Sequence, residues 1–460
     1  MRAMSGQEIR QAIRGRMLSR TAPNPVRGLS IDSRTAKRDD VFFAIAGDNF
    51  DGHDFLEAAL QKGCIAAVVE VARQYPQKLL ERFPAGVIGV ADTTTALLDF
   101  ASYYRTVLPA TVVAVTGSNG KTTVKNMINH ILSKRLTGTQ SPKSFNNEIG
   151  VPLTIASASA GDDYVICELG TNAPGEISKL ARAIKPNIGV ITNVAPAHLE
   201  RLNSIEAIAV EKASLLGWLG PRDNAVVFAD SKPLNQAVRA LGSRMITFGQ
   251  SPEANLRLTN YQQTGWSSRF ELNNRDWIEL AVPGIHNAFN AIAAIAVAAR
   301  FGFTQQDAAD ALADFTGVDM RLQRVSAGEI EVINDAYNAN PSSVRAAASV
   351  VANQDAKRKI LILGDMFELG NESAEIHSQL GADLATGGFD LIAGVGQLAK
   401  YLVEAAASSG CSIAHYENTQ AAKDDLENIL APGDLVLIKG SRGMKMDTLV
   451  DEIKRIGKQQ

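Results

Sequence analysis

Cysteine is nearly absent. The chain of 460 residues has three, Cys64, Cys167 and Cys411, an odd and widely spaced set that argues against a disulfide framework and against a thiolate zinc site. Charge of one sign is missing as well. Lys and Arg number 46 against 49 Asp and Glu, a net charge of −3, so there is no global basic field to recruit nucleic acid, and anionic ligands must be held by local sites. Long hydrophobic runs are also lacking. The most apolar helical stretch, IAAIAVAA at 292–299, is far shorter than the ~20 residues of a bilayer span, so no membrane insertion is expected. The N-terminal MRAMSGQEIRQAIRGRMLSR carries charges every few residues and no apolar core, unlike a secretory signal, which leaves a cytoplasmic location as the expectation. No internal repeat or low-complexity linker marks the domain boundaries.

What is present is ordinary globular composition, 45% hydrophobic and 21% charged, in a chain long enough for roughly three domains. Residues 1–108 mix short strand patterns, VRGLSIDSR (26–34) and DVFFAIAG (40–47), with a helix, FLEAALQKG, ending at Gly63. Across 109–316, buried-strand runs alternate with helices: TVVAVTG, DYVICELG, NIGVITNV and NAVVFAD. That is the pattern of a doubly wound parallel sheet. Within it, 256–284 reads as an antiparallel insertion, and the Ala-rich helix that follows stops at Gly302. Across 317–460 the pattern restarts with KILILGD, DLIAGVG and DLVLIKGS, which predicts a third, smaller α/β domain.

The strongest chemical signal is AVTGSNGKTTVKNMINHIL at 114–132. A strand runs into a Gly-rich turn and then a helix, so backbone N–H groups of Thr116, Gly117, Ser118, Asn119 and Gly120, with the helix N-terminus, can cradle an anion. Lys121 would reach the outer phosphates, Thr122 would offer its hydroxyl to Mg²⁺, and Thr123 completes the loop. The general phosphate-loop pattern places Gly where this chain has Val115. A plain strand–turn–helix connection is the alternative, and Gly-Lys-Thr-Thr straight after a buried strand argues against it. Glu168, ending DYVICELG, sits where parallel sheets bind ligands and where a nucleotide-bound Mg²⁺ needs an oxygen. His198 in TNVAPAHLE and Lys212 in SIEAIAVEKASLLGWL read, taken alone, as a structural loop histidine and a solvated lysine.

The shortened TGSNGKT loop resembles that of the Mur ligase family, and the further strings PGIHNAFNAIAA (283–294), DMRLQR around Arg321 and INDAYNANPSSV (333–344) resemble its other elements. The resemblance covers nearly the whole chain. It implies a UDP-sugar-binding first domain, a central ATPase domain with a phosphate loop, and a Rossmann-like third domain, closing as a clamp. It makes His198 a ligand of a second metal and Lys212 a carbamoylated lysine holding Mg²⁺, so that ATP and two Mg²⁺ ions are expected. Asn287 and Asn290 would meet adenine and ribose. Arg321 would reach the γ-phosphate, and Asp335, Tyr337 and Asn338 would close the nucleotide site. A free lysine whose pKa is lowered by burial reacts with CO₂ as the neutral amine, which is why the carbamate needs a buried position.

Within that family, LGDMFELGNESAEIHSQLG (363–381) and KGSRGMKMD (439–447) resemble the branch that adds D-alanyl-D-alanine. DSR (32–34) and GDNFDGHDF (47–55) resemble the uridine-sugar end, placing Ser33, Arg34, Asn49 and Phe50 there, and FNNEIGVP (145–152) resembles the substrate loop, with Asn146 and Asn147. The resemblance implies ATP-dependent joining of D-alanyl-D-alanine to UDP-N-acetylmuramoyl-tripeptide by a monomer, with the third-residue-adding muramoyl ligase or folylpolyglutamate synthase as the alternatives. No DNPR string marks the former, and the long segment before the loop argues against the latter. A guanine-nucleotide switch lacks its NKxD element, the nearest string being MKMD (444–447), and AGVGQLAK (393–400) has only a lone Gly-x-Gly.

Overall fold

The computed structural model describes residues 1–222, 224–239, 241, 244–407 and 410–458. Three sheets form in chain order. The first has β1 (Arg16–Met17), β2 (Gly28–Ser30), β3 (Asp40–Phe43), β4 (Ala66–Glu70) and β5 (Gly86–Val90), in the spatial order β1-β5-β4-β3-β2. The helix expected at 55–63 is a 3₁₀ turn, Gly52–Phe55, continued by a short helix, Leu56–Gln61; Gly63, at φ +95°, ends it.

The central sheet holds β6 (Thr111–Thr116), β7 (Gly138–Gln140), β8 (Tyr164–Glu168), β9 (Ile188–Ile191), β10 (Asn224–Phe228), β11 (Arg244–Gly249), β12 (Leu256–Thr264), β13 (Ser267–Leu272) and β14 (Trp277–Leu280). Its order is β14-β13-β12-β11-β10-β9-β6-β8-β7. The stretch expected to be an insertion is instead the continuation of this sheet. β12 pairs parallel with β11 and then antiparallel with β13, which pairs antiparallel with β14. The alternation is the reason: Phe270, Leu272, Ile278 and Leu280 are buried, and their face packs in one core with the helix Ile285–Ala298, while the other face stays polar.

The third sheet comprises β15 (Gln323–Ala327), β16 (Ile330–Asn334), β17 (Arg358–Gly364), β18 (Leu391–Val395), β19 (Ser412–Tyr416) and β20 (Asp434–Lys439), ordered β15-β16-β20-β17-β18-β19. Only the β15–β16 pair is antiparallel. The fold is thus α/β with three sheets. One core runs from the first sheet through the helix Thr93–Val107 into the central unit, with Phe43, Phe100, Tyr104, Val151 and Ile177 in a single buried cluster. Among the described residues no helix is long and apolar enough to cross a membrane.

Candidate active site

β6 ends at Thr116 and the turn feeds the helix Lys121–Leu132. Two glycines are required there. A Cβ on Gly117 would lie 1.9 Å from Thr192 Oγ1, and one on Gly120, at φ +81°, would lie 2.4 Å from Asn290 Oδ1. Neighbouring loops hold the turn: Asn119 N donates to Asn193 Oδ1 (2.8 Å), and Ser118 Oγ donates to Ala195 O (2.9 Å). Lys121 folds back, its ammonium 2.8 Å from Gly117 O and 3.3 Å from Ser118 O. Burial lowers its pKa, and Glu168 opposes that shift.

Glu168 is 1% exposed at the end of β8. It accepts from Thr122 Oγ1 (2.8 Å) and Asn146 Nδ2 (3.0 Å), and Lys125 Nζ stands 3.7 Å away. Lys125 also donates to Ser141 O (2.7 Å) and to Lys143 O, so one ammonium ties the phosphate-loop helix to the segment leading into Asn146 and Asn147. Asn147 Oδ1 accepts from Gly150 N (2.9 Å), the first residue of the next helix.

From the opposite side come loops of the third sheet. Arg321 stands between Met320 and Leu322, both in the left-handed region. Its Nη2 donates to Thr122 Oγ1 (3.1 Å), and its guanidinium lies 4.4 Å from the Tyr337 ring centroid. Asn119 Nδ2 donates to Ser342 Oγ (2.9 Å), and Asn340 Nδ2 donates to Asn119 Oδ1 (2.7 Å). Asp335 accepts from Lys439 Nζ (2.6 Å), whose second partner is Asn338 O (2.9 Å). His198 Nδ1 bonds the Glu368 carboxylate, and that partner holds Glu368 below the ordinary carboxylate range.

These walls enclose a cavity of about 600 Å³, within the range of small-molecule sites. Of the residues the sequence singled out, Ser118, Asn119, Gly120, Lys121, Thr123, Asn146, Asn147, Glu168, His198, Asn287, Asn290, Arg321, Asp335, Tyr337 and Asn338 line it. Others do not. Thr116 is fully buried at the strand end with its hydroxyl unpartnered, so only its backbone is close to the turn. Gly117 and Thr122 lie behind the lining. Lys212, 2% exposed, lies outside the lining too, and burial together with nearby Lys121 brings its pKa down to about 7. Ser33, Arg34, Asn49 and Phe50 are away from the cavity lining; Arg34 pairs with Asp32 at 2.7 Å and Phe50 is 76% exposed.

Sequence reasoning missed Lys125, Glu211, Ser342, Glu368 and Lys439. Lys125 had a signal: it lies one helical turn after Lys121 and Thr122, hence on their face. Glu211 is buried and accepts from Gly175 N (2.7 Å) and Ile177 N (2.8 Å), anchoring the helix beside Lys212. Nothing local announces that role. His286 also lines the cavity, and burial lowers its pKa to about 4, so its imidazole is neutral at pH 7.

Three family profiles match in chain order: Mur ligase family, catalytic domain, over 25–105; Mur ligase middle domain over 115–298; and Mur ligase, glutamate ligase domain over 320–442. The chain belongs to the Mur ligase family. Curated relatives named UDP-N-acetylmuramoyl-tripeptide–D-alanyl-D-alanine ligase include that of Bacillus subtilis, 32% identical with 95% of this chain and 96% of the relative covered. The Escherichia coli relative of that name is 32% identical over 93% and 94%. Among solved structures, MurF from Acinetobacter baumannii superposes with a TM-score of 0.89 at 29% identity over 99% of both chains. MurF ligase from Thermotoga maritima in complex with ADP gives 0.82 at 25% identity, covering 94% of this chain and 98% of that one.

Proposed function

We infer that the chain is the ATP-dependent, ADP-forming ligase that joins D-alanyl-D-alanine to UDP-N-acetylmuramoyl-tripeptide for peptidoglycan synthesis. The carrying observation is a phosphate loop and strand-end carboxylate facing Arg321 across one cavity, in a chain whose full-length relatives bear that activity in their names. The division into 1–108, 109–316 and 317–460 assigns the uridine-sugar end, the nucleotide and the closing wall to one sheet each.

A carboxylate and an amine do not condense in water without activation. The terminal carboxylate oxygen of the tripeptide attacks the γ-phosphorus of ATP, the bond to ADP breaks, and an acyl phosphate forms. The dipeptide amine then attacks the acyl carbon, loses a proton, and inorganic phosphate leaves. The backbone of residues 116–120 and Lys121 hold the phosphates. Arg321, whose guanidinium is fixed on Tyr337, meets charge developing on the transferred group. Asn287 and Asn290, at the start of the helix behind the loop, are assigned to the base and ribose of the nucleotide. Asp335, Tyr337 and Asn338 close the cavity, and shielding it keeps water from the acyl phosphate. Ser33, Arg34, Asn49 and Phe50 are assigned to the uridine end, and Asn146 and Asn147 to the tripeptide.

Magnesium fits the donors. The Thr122 hydroxyl and Glu168 carboxylate are oxygens of the kind a hard cation takes. Among the described residues no three of His, Cys, Asp and Glu gather at a metal-binding spacing, and Mg²⁺ commonly takes one or two carboxylates together with substrate phosphates and waters. Such ions would neutralise phosphate charge during transfer. His198 is assigned to a second ion, with Lys212 as its carbamate. The neutral amine that carbamate formation needs is favoured by burial. The chain is read as a monomeric cytoplasmic enzyme. The test is phosphate release from ATP with the UDP-linked tripeptide, with and without D-alanyl-D-alanine. Release that needs both, with a UDP-pentapeptide seen by mass spectrometry, is expected. Release with another acceptor pair instead would overturn the substrate assignment.

A further inference from the structure

His198 begins the short helix Leu199–Leu202 at φ +57°, in the left-handed region that non-glycine residues rarely adopt. Across the cleft, Glu368 in the loop after β17 is also left-handed, at φ +65°. The two strained residues meet. His198 Nδ1 bonds Glu368 Oε2, and Glu200 N donates to Glu368 O (3.2 Å). Gly370, at φ +72°, takes the left-handed turn that brings this loop against Glu200. Backbone and side chain of Glu368 are therefore both spent on the His198 segment. Together with Asn172, Glu200 and Arg201 they line a pocket of about 110 Å³ next to the main cavity.

A carboxylate accepts and does not donate, so the bonded Nδ1 carries the proton. In the neutral ring that leaves the lone pair on Nε2. We propose that Glu368 is a positioning residue: by docking on His198 when the third domain closes, it fixes the imidazole's tautomer and orientation and leaves Nε2 as the metal-ligating nitrogen. Carboxylate partners of ligating histidines act in this way generally, and losing one costs about 10–100-fold in metal affinity. The difference here is that the partner comes from another domain, so metal affinity and domain closure are linked. The inference rests on the assignment of His198 as a metal ligand.

The test uses the full chain with ADP bound and Mn²⁺ as probe, its affinity read by electron paramagnetic resonance. Glu368→Ala is expected to weaken Mn²⁺ binding about 10-fold or more, and Glu368→Gln, which keeps an acceptor, to restore it to within about threefold. In the same samples without metal, ¹⁵N shifts of the imidazoles (six histidines in all) should show the Nδ1–H tautomer of His198 in the native chain and in Glu368→Gln, but not in Glu368→Ala. Unchanged ADP affinity shows that the variants fold. In turnover, kcat should fall in Glu368→Ala while KM for the dipeptide holds. If His198→Ala weakens Mn²⁺ binding and Glu368→Ala does not, Glu368 is only an interdomain ion pair and the proposal is overturned. If His198→Ala itself leaves Mn²⁺ binding unchanged, the metal assignment beneath it falls as well.

Discussion

The two walls of the cavity are built differently. The central wall is held from within: Ser118, Asn119, Thr122 and Glu168 bond to their own sheet's loops, and Lys125 is buried among three acceptors. The opposite wall reaches over with single side chains. Arg321, Asn340, Ser342 and Glu368 each make one or two bonds across the gap. A wall bonded within itself thus faces one joined to it by few bonds, and losses on the two sides should differ in kind.

Lys121→Ala is the sharpest test of the binding wall. It should lower kcat/KM by about 10³-fold and weaken ADP binding, measured by calorimetry. Arg321→Ala should cost about 10²-fold in kcat yet leave ADP affinity within about threefold, because its cation serves charge that appears only during transfer. Equal loss of ADP affinity in both variants would break the comparison.

Lys212 tests the region behind the binding wall. With its pKa near 7, the amine is neutral above that pH. A carbamate signal in ¹³CO₂-equilibrated protein, read by ¹³C NMR, should be present at pH 8–9 and fade as pH falls through about 7. In CO₂-free buffer the sign for stability follows from proton counting. Between about 7 and the ordinary lysine pKa of 10.5, the unfolded chain holds a proton that the folded chain lacks. Stability therefore rises with pH across that window, by at most about 1.4 kcal/mol per unit from this group. Lys212→Met should flatten that contribution. The smallest effect is expected for Ser342→Ala, which removes one bond between the walls, worth roughly 0.5–1.5 kcal/mol. A several-fold drop in kcat/KM with unchanged melting temperature is the expected result.

The same contrast governs what could be read from sequence. Strands β6, β8, β9, β17, β18 and β20 were legible because each is a run of buried apolar residues bounded by turns. The phosphate loop was legible because its chemistry is contiguous. The antiparallel strands β12–β14 were legible from their alternation, but not their continuation of the central sheet, since periodicity reports which face is buried and not which neighbour covers it. Glu211 was missed because the donors to its carboxylate are the backbone amides of Gly175 and Ile177, 34 to 36 positions earlier in the chain. At Thr116 the motif marks the backbone, and the side chain is buried at the end of β6. Ser33, Arg34, Asn49 and Phe50 rested on likeness alone, and the geometry brings none of them to the cavity lining.

Bonds such as Asn119 to Ser342 join residues 223 positions apart, and Thr122 to Arg321 spans 199. On a ribosome adding about 5–20 residues each second, the phosphate loop emerges on the order of 10–45 s before the residues that cover it. Through that interval the loop has the bonds of its own sheet, from Ser118, Asn119 and Thr122, to hold it. The contacts between the two walls are then the last to form.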